Sequence, residues 1–405
     1  MQNKMVNNKI IQYKPISIIT INLIIAIVGI IVKSQHSLLP EILLPIAYGC
    51  SIFSAALIIS WAAESSERDI SGSFVIAIIA LIAVLPEYAI ETVLAYTAGQ
   101  SYKLNNFVFT NRVGYVSANV TGANRLLAGL GWPLIMLINM LKNNQSLNIK
   151  NNNKLELLVL GIGAISMIIA SIIKFQPIFI SFILIIIYLI YLFITSKKES
   201  TESEFVGISE YLANLPKLTR ITTNILLIIF SAVTIFIVSH PFVESLIHIG
   251  GKFGIDEYYL IQWLAPLASE SPEIIIASLF AMKGRSLESI SIILSSQANQ
   301  MSLLIGSMGA IFSFATSSLI SFPLNDTQGV EFLLTSAFAL LQISMILWGK
   351  FKLQMPVLLL IIFFVQLIIT DTSIRAYLSI AIYMFALIYL ILFITKNKIQ
   401  PIKKQ

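Results

Sequence analysis

Charge is scarce in this 405-residue chain: Asp, Glu, Lys and Arg together make up 11 % of it, where a soluble protein of this length carries about a quarter. A soluble globular fold is therefore excluded. Cys50 is the only cysteine, so no intrachain disulfide is possible and the redox compartment cannot be read. The histidines are His36, His240 and His248, all near predicted helix ends. Without clustered His or Cys, a soft-metal centre is not expected. Lys4, Lys9 and Lys14 precede the first apolar run as they would in a signal peptide, but the run is long and no small-residue cleavage site follows. It reads as a retained helix.

What the chain has instead is hydrophobic length. Its apolar runs approach or exceed the ~20 residues that cross a bilayer as a helix. The fold class is all-α, a polytopic membrane protein of about twelve transmembrane helices. The predicted spans are 16–33, 39–63, 70–98, 111–140, 154–173, 177–195, 219–247, 257–282, 287–320, 331–349, 355–370 and 373–395. The longest polar connection, 196–218, divides the chain; Asn143–Asn153 is an asparagine-rich loop without chemistry.

Lysine and arginine in the loops orient the spans. With an even number of spans both termini share a side, and 19 of the 26 basic residues fall on it. The other side has Lys33, Lys103, Arg112, Lys174, Lys252 and Arg375, and Arg125 lies inside a span. Both termini are expected in the cytoplasm, with the cell membrane as the location. The net charge of +6 is then a topology signal with contact to anionic lipid, not a mark of nucleic acid. The outer loops carry Glu244, Asp256, Glu257, Asp326, Glu331 and Asp371, which read as scattered, solvated acids.

Two polar stretches interrupt this pattern. Leu85-Pro86-Glu87-Tyr88-Ala89-Ile90-Glu91 lies in predicted span 3, and Ser269-Glu270-Ser271-Pro272-Glu273 in predicted span 8. Ionisable groups at that depth mark a functional site facing the protein interior. Pro86 and Pro272 each remove a backbone donor, so the helix kinks or breaks there. Five spans separate the stretches, and an odd offset means opposite orientations, the arithmetic of an inverted repeat. The expected organisation is 1–38 as an extra N-terminal helix, 39–195 as a first repeat of five helices, and 196–218 as a cytoplasmic linker. A second five-helix repeat follows at 219–370, then an extra helix with a basic tail at 371–405.

Glu87 and Glu91 share a helix face, as do Glu270 and Glu273. Pairing the stretches gives an inner tier, Glu87 with Glu273, and an outer tier, Glu91 with Glu270. Predicted span 4 adds Ala118-Asn119-Val120-Thr121-Gly122-Ala123-Asn124-Arg125, and predicted span 9 adds Ser295-Ser296-Gln297-Ala298-Asn299-Gln300. There Ala298, Ser302, Gly306 and Ala310 form a small-residue stripe that permits close helix packing. The candidate cation ligands are Glu87, Glu273, Glu91, Glu270, Asn119, Asn124, Ser269 and Asn299, hard oxygens suited to calcium or sodium. Structural readings stand beside these. A lone asparagine serves equally as glue between helices, Glu91 and Glu270 serve equally as partners of Arg125, and Gln297 and Gln300 read as structural.

At these residues the chain resembles the calcium/cation antiporter superfamily, which includes the sodium/calcium exchangers. That family carries two Gly-Thr-Ser-Leu-Pro-Glu-like motifs, each followed one helix later by an Asn/Asp and a Gly-Ser-Asn. Leu85-Pro86-Glu87 and Ser271-Pro272-Glu273 match the first element, Asn119–Asn124 matches the later one well, and Gln297-Ala298-Asn299 matches it poorly. The resemblance implies alternating access, with Glu87 and Glu273 chelating calcium and flanking oxygens holding sodium. The family's Thr-Ser hydroxyls fall at Ala83 and Val84 in the first repeat and at Ser269 and Glu270 in the second. Leu294 stands where Asn119 has its counterpart. Arg125 places a cation where the family usually has an apolar residue, so it reads as a fixed internal cation in place of one coupling sodium, or as a structural ion pair.

The leading expectation is a secondary cation antiporter, calcium against sodium or protons, with no cofactor and no protein partner readable. A monovalent cation/proton antiporter is the alternative within transport. From other classes, an intramembrane enzyme or a non-transporting receptor would use the same acids, but no nucleophile–base pair is present.

Overall fold

The computed structural model describes residues 2–35, 39–69, 84–143, 153–197, 205–349 and 352–399. The first part of predicted span 3, with Ala83, and most of the asparagine-rich loop therefore lie outside the described residues. The rest is almost wholly helical. In chain order the helices are α1 (Gln2–Ser34), α2 (Leu44–Ser66), α3 (Leu85–Leu104), α4 (Asn111–Leu126), α5 (Trp132–Asn143), α6 (Lys154–Ile173), α7 (Ile178–Ser196) and α8 (Ile208–Ala213). They continue as α9 (Lys217–Phe253), α10 (Glu257–Met282), α11 (Ser286–Asn299), α12 (Ile305–Thr316), α13 (Asp326–Trp348), α14 (Gln354–Ile368) and α15 (Thr372–Ile399). Among the described residues, 9 helices are long and apolar enough to cross a membrane. The chain is a polytopic α-helical membrane protein. Helix α7 shows the lipid signature plainly: Phe179, Phe182, Ile186, Leu189, Ile190 and Phe193 are all exposed, an arrangement that water would penalise and hydrocarbon does not.

The helices form two compact units, Met1–Val93 with Leu192–Pro272, and Leu94–Tyr191 with Glu273–Gln405. Each unit draws on both halves of the chain, so compactness and sequence repeat are different partitions. The boundaries fall inside helices α3, α7 and α10, not in loops.

In the first unit α2 packs against α1 and α9. Ser51 donates to the Ala26 carbonyl at 2.6 Å, tying α1 to α2. Ala26, Ala55, Ala89 and Ile235 cluster, mostly small residues that let α1, α2, α3 and α9 approach closely. The linker 196–218 is more than a connection. Its helix α8 buries Leu212 against Leu57, Ile58, Trp61 and Leu227. Arg68 donates to the Ala213 carbonyl and to Asn214 Oδ1, both at 2.7 Å. Arg220 grips Asp69 through two donors, one at 2.6 Å, and also reaches the carbonyls of Ala213 and Leu215, each at 2.8 Å.

In the second unit α13 is the central helix, packed against α4, α6 and α15 and buried along most of its length. It begins five residues before the predicted span. Asn325 accepts from the Gln328 N–H at 3.0 Å and Gln328 Oε1 accepts from the Asn325 N–H at 3.2 Å, a capping box that starts the helix at Asp326. This overturns the placing of Glu331 in an outer loop: it is 0 % exposed, inside α13. Arg375, inside its predicted span, is 1 % exposed in the first turn of α15. Predicted span 9 ends earlier than expected, at Thr316, because the chain turns through left-handed Ser317 (φ 58°) into a short strand. That strand, Phe322–Pro323, pairs antiparallel with Phe175–Gln176, with Phe175 opposite Pro323.

Candidate functional site

Of the expected ligands, Glu87, Glu91, Ser269 and Glu270 belong to the first unit, and Asn119, Asn124, Glu273 and Asn299 to the second. In the first unit Glu87 and Glu91 lie in the first two turns of α3, 4 % and 0 % exposed. Ala89 sits about 160–200° around the helix from them and points to the alanine cluster with α1, α2 and α9. Glu270 is 0 % exposed on α10, and Ser269 beside it donates back to the Ala265 carbonyl at 3.2 Å. Pro86 stands at the second residue of α3, where a missing donor costs little. Pro272 corrects the expectation of a break: α10 is continuous from Glu257 to Met282 with both Pro266 and Pro272 inside it. Ser271 donates to the Leu267 carbonyl at 2.5 Å, one of the local bonds that accompany a helix carried through a proline.

In the second unit α4 is polar yet buried all round, with every residue from Val113 to Leu126 inside. Its polar side chains bond along their own helix. Ser117 donates to the Gly114 carbonyl at 2.8 Å, Thr121 to the Ser117 carbonyl at 2.7 Å, and Asn124 Nδ2 to the Val120 carbonyl at 2.9 Å. That last bond engages the amide donor of Asn124 and leaves its Oδ1 buried with no hydrogen-bond partner among the described residues. A buried acceptor with no donor is the condition a cation can meet. Next on the chain comes a π-helical turn, Leu127–Gly131. Glycine is required in it: a Cβ on Gly129 would meet Phe363 Cδ2 at 2.7 Å.

Helix α11 repeats the arrangement. Asn299 is 1 % exposed and the π-helical turn Gln300–Leu304 follows directly. Predicted span 9 is thus two helices joined through a π turn, a feature that clusters at functional sites. Gly163 of α6 faces this turn so closely that a Cβ there would overlap the Met301 carbonyl. The small stripe does pack as expected at Gly306, where a Cβ would meet the Ser181 carbonyl at 2.6 Å. Gln297, read as structural, is 0 % exposed, and neither of its side-chain polar atoms has a hydrogen-bond partner among the described residues. Glu273 is half-buried on α10.

Arg125 finds a carboxylate that sequence reasoning missed. The second unit supplies Glu331. Glu331 accepts from Arg125 through Oε2 and from Arg375 through Oε1. Arg125 also donates to Gln366 Oε1 at 2.8 Å and, through Nε, to the Thr121 carbonyl at 3.2 Å. Arg375 donates to the carbonyls of Ile369 at 2.7 Å and Gln366 at 2.9 Å, at the C-terminal end of α14. All three charged side chains are 0–1 % exposed. The signal that could have found Glu331 was Asn325-Asp326-Thr327-Gln328, a helix start that pulls it inside the span.

These groups are oxygen donors, and among the described residues no cluster of three His, Cys, Asp or Glu is placed to hold a metal.

The likeness to known proteins agrees. A family model described as sodium/calcium exchanger protein matches residues 39–197 and 223–395. Among solved structures the chain is 31 % identical to one described as the H+/Ca2+ exchanger CAX, covering 96 % of this chain and 98 % of that one, with a TM-score of 0.86. It is 18 % identical to the Ca2+/H+ antiporter protein YfkE, over 86 % of this chain and 99 % of that one, with a TM-score of 0.58, a likeness of fold. No curated protein matches the sequence. Matched along both halves by the same family model, the chain belongs to the sodium/calcium exchanger family.

Proposed function

We propose that this protein exchanges calcium for protons across a cell membrane by alternating access, with Glu87 and Glu273 as the carboxylates that bind calcium. The observation that carries the reading is the 31 % identity over nearly the whole chain to an H+/Ca2+ exchanger. The chemistry supports it. Two carboxylates neutralise one calcium ion, and two protons neutralise the same two carboxylates. Both loaded states then cross the low-dielectric interior with equal charge, where a bare carboxylate is expensive. Glu91, Glu270, Asn119, Asn124, Ser269 and Asn299 supply flanking oxygens. Ala83 and Val84 lack the hydroxyls that the exchanger motif places there, and Arg125 stands as a fixed internal cation in place of one sodium. Both termini lie in the cytoplasm in this reading. No resident cofactor is required, and the role is transport, not catalysis.

The test is purified protein in liposomes under separate proton, sodium and potassium gradients, with calcium flux and internal pH recorded together. A proton gradient should drive calcium. Glu87→Gln and Glu273→Gln should each abolish the flux while the protein still elutes as a folded particle. Zinc should compete weakly, because the site offers oxygens. Flux driven by sodium alone removes the proton from the reading, and wild-type flux in either variant removes that glutamate from the site.

A further inference from the structure

Lys103 is a cation without a carboxylate. It stands in the last turn of α3, and no acid pairs with it among the described residues, whereas Lys174 has Asp326 and Lys252 has Glu41. Its Nζ donates instead to Ser317 Oγ at 3.1 Å, just past the end of α12. That bond leaves two N–H donors unspent. Ser317 accepts there and keeps its own O–H. The Ser318 hydroxyl has no partner among the described residues, and both serines are exposed. Carbonyls at a helix end repel an anion, but that of Ser313 is met by the Thr316 hydroxyl at 2.8 Å and that of Phe314 by the Ser317 N–H at 3.0 Å. The ammonium and two hydroxyls are then the donors that this turn offers.

Ser317 and Ser318 line a cavity of about 640 Å³, together with Tyr96 of α3, Phe182 of α7, Phe314 and Leu319. No acidic side chain lines it. The four apolar and aromatic residues are all exposed, Phe314 and Leu319 by 78 % and 83 %, and Phe182 belongs to the lipid-facing side of α7. Leu104, next to Lys103, is exposed as well. Apolar surface at the end of a span lies where hydrocarbon gives way to headgroups, and a lysine at that level reaches for phosphate.

We propose that this cavity binds a glycerophospholipid of the bilayer, its phosphate on Lys103, Ser317 and Ser318 and an acyl chain along Phe314 and Phe182. One cation and two hydroxyls match the single negative charge of a phosphodiester. With no acid among the lining residues, a headgroup without an ammonium is preferred. The site lies wholly in the second unit and does not depend on the exchanger reading.

The test is native mass spectrometry of the full chain in detergent, titrated with phosphatidylglycerol, phosphatidylcholine, diacylglycerol and inorganic phosphate. Wild type should hold phosphatidylglycerol more tightly than phosphatidylcholine, and neither diacylglycerol nor inorganic phosphate should displace it. Lys103→Ala should weaken that binding by roughly tenfold or more, the order expected for losing a hydrogen bond between charged groups, and Lys103→Arg should retain it. Ala310→Phe, which fills the cavity from α12, should weaken binding without changing any charge. Ser318→Ala removes a hydroxyl that holds nothing in the protein, so it should weaken binding at unchanged stability and answers the question even if Lys103→Ala does not fold. The unfolding temperature without added lipid separates a lipid site from a structural bond: Lys103→Ala and Ser317→Ala should leave it nearly unchanged, because the contact they break is exposed. Diacylglycerol bound as tightly as phosphatidylglycerol overturns the proposal, as does displacement by inorganic phosphate. So does wild-type affinity in Lys103→Ala, or in Ser318→Ala and Ala310→Phe together. A lower unfolding temperature in Lys103→Ala and Ser317→Ala at unchanged lipid affinity assigns the contact to structure and overturns it too.

Discussion

Two arginine–carboxylate clusters, one in each unit, make the same bonds in different surroundings. In the second unit Glu331 sits between Arg125 and Arg375 with no more than 1 % of any of the three exposed. In the first, Asp69 holds Arg220 in a two-pronged grip with side chains 8 % and 10 % exposed, past the end of α2 and against the linker helix. The difference lies in what each charge would meet if its partner left. Without Glu331, Arg125 and Arg375 would keep Gln366 and their backbone carbonyls but lose the shared carboxylate at a place only 0–1 % exposed. Without Asp69, Arg220 would keep the carbonyls of Ala213 and Leu215 and gain water from the edge. Removing one partner of a buried pair therefore costs far more than the pair itself contributes.

That contrast is open to measurement. Glu331→Gln should destabilise the protein by about 3–5 kcal/mol, read as a large drop in the thermal unfolding temperature in detergent; a drop no larger than that of Asp69→Asn would erase the distinction. Asp69→Asn should cost about 1–2 kcal/mol and act locally, with faster hydrogen exchange at residues 208–214 and little change elsewhere. Arg220 beside Asp69 holds its carboxyl below the ordinary value of 3.8. A depressed carboxylate contributes its stability above the unfolded value and loses it as pH falls through the folded one. The clamp on the linker should thus be constant from about pH 5 to 8 and loosen only below about pH 4. Protection at 208–214, taken relative to the intrinsic exchange rate at each pH, that changed between about pH 6 and 8 would show that another group controls it. The smallest effect belongs to Lys174 and Asp326, paired at 2.9 Å but 49 % and 92 % exposed. Asp326→Asn should change stability by less than about 0.5 kcal/mol.

Much of this was legible in the chain itself. Scarce charge and long apolar runs establish a polytopic helical membrane protein, because transfer into lipid acts on each residue separately and sums along a span. The two proline–glutamate stretches and the asparagine helix identify the exchanger family, since polar residues at that depth survive only with a purpose. Other features were written in the sequence but outweighed. The capping box at Asn325–Gln328 was hidden by a hydropathy reading that begins the span at the first apolar residues, so Glu331 was left outside. The π turns after Arg125 and Asn299 have no composition of their own; they depend on neighbours such as Met301 facing Gly163.

What the sequence by itself determined is the class of fold, the family, and the necessity that Arg125 be paired. Which carboxylate pairs with it was a matter for the tertiary structure alone. Burial cost belongs to one residue and its span, and can be read locally. A salt bridge belongs to two residues, here 206 positions apart, and the arginine that completes it lies a further 44 away. Only packing brings those three side chains to one place.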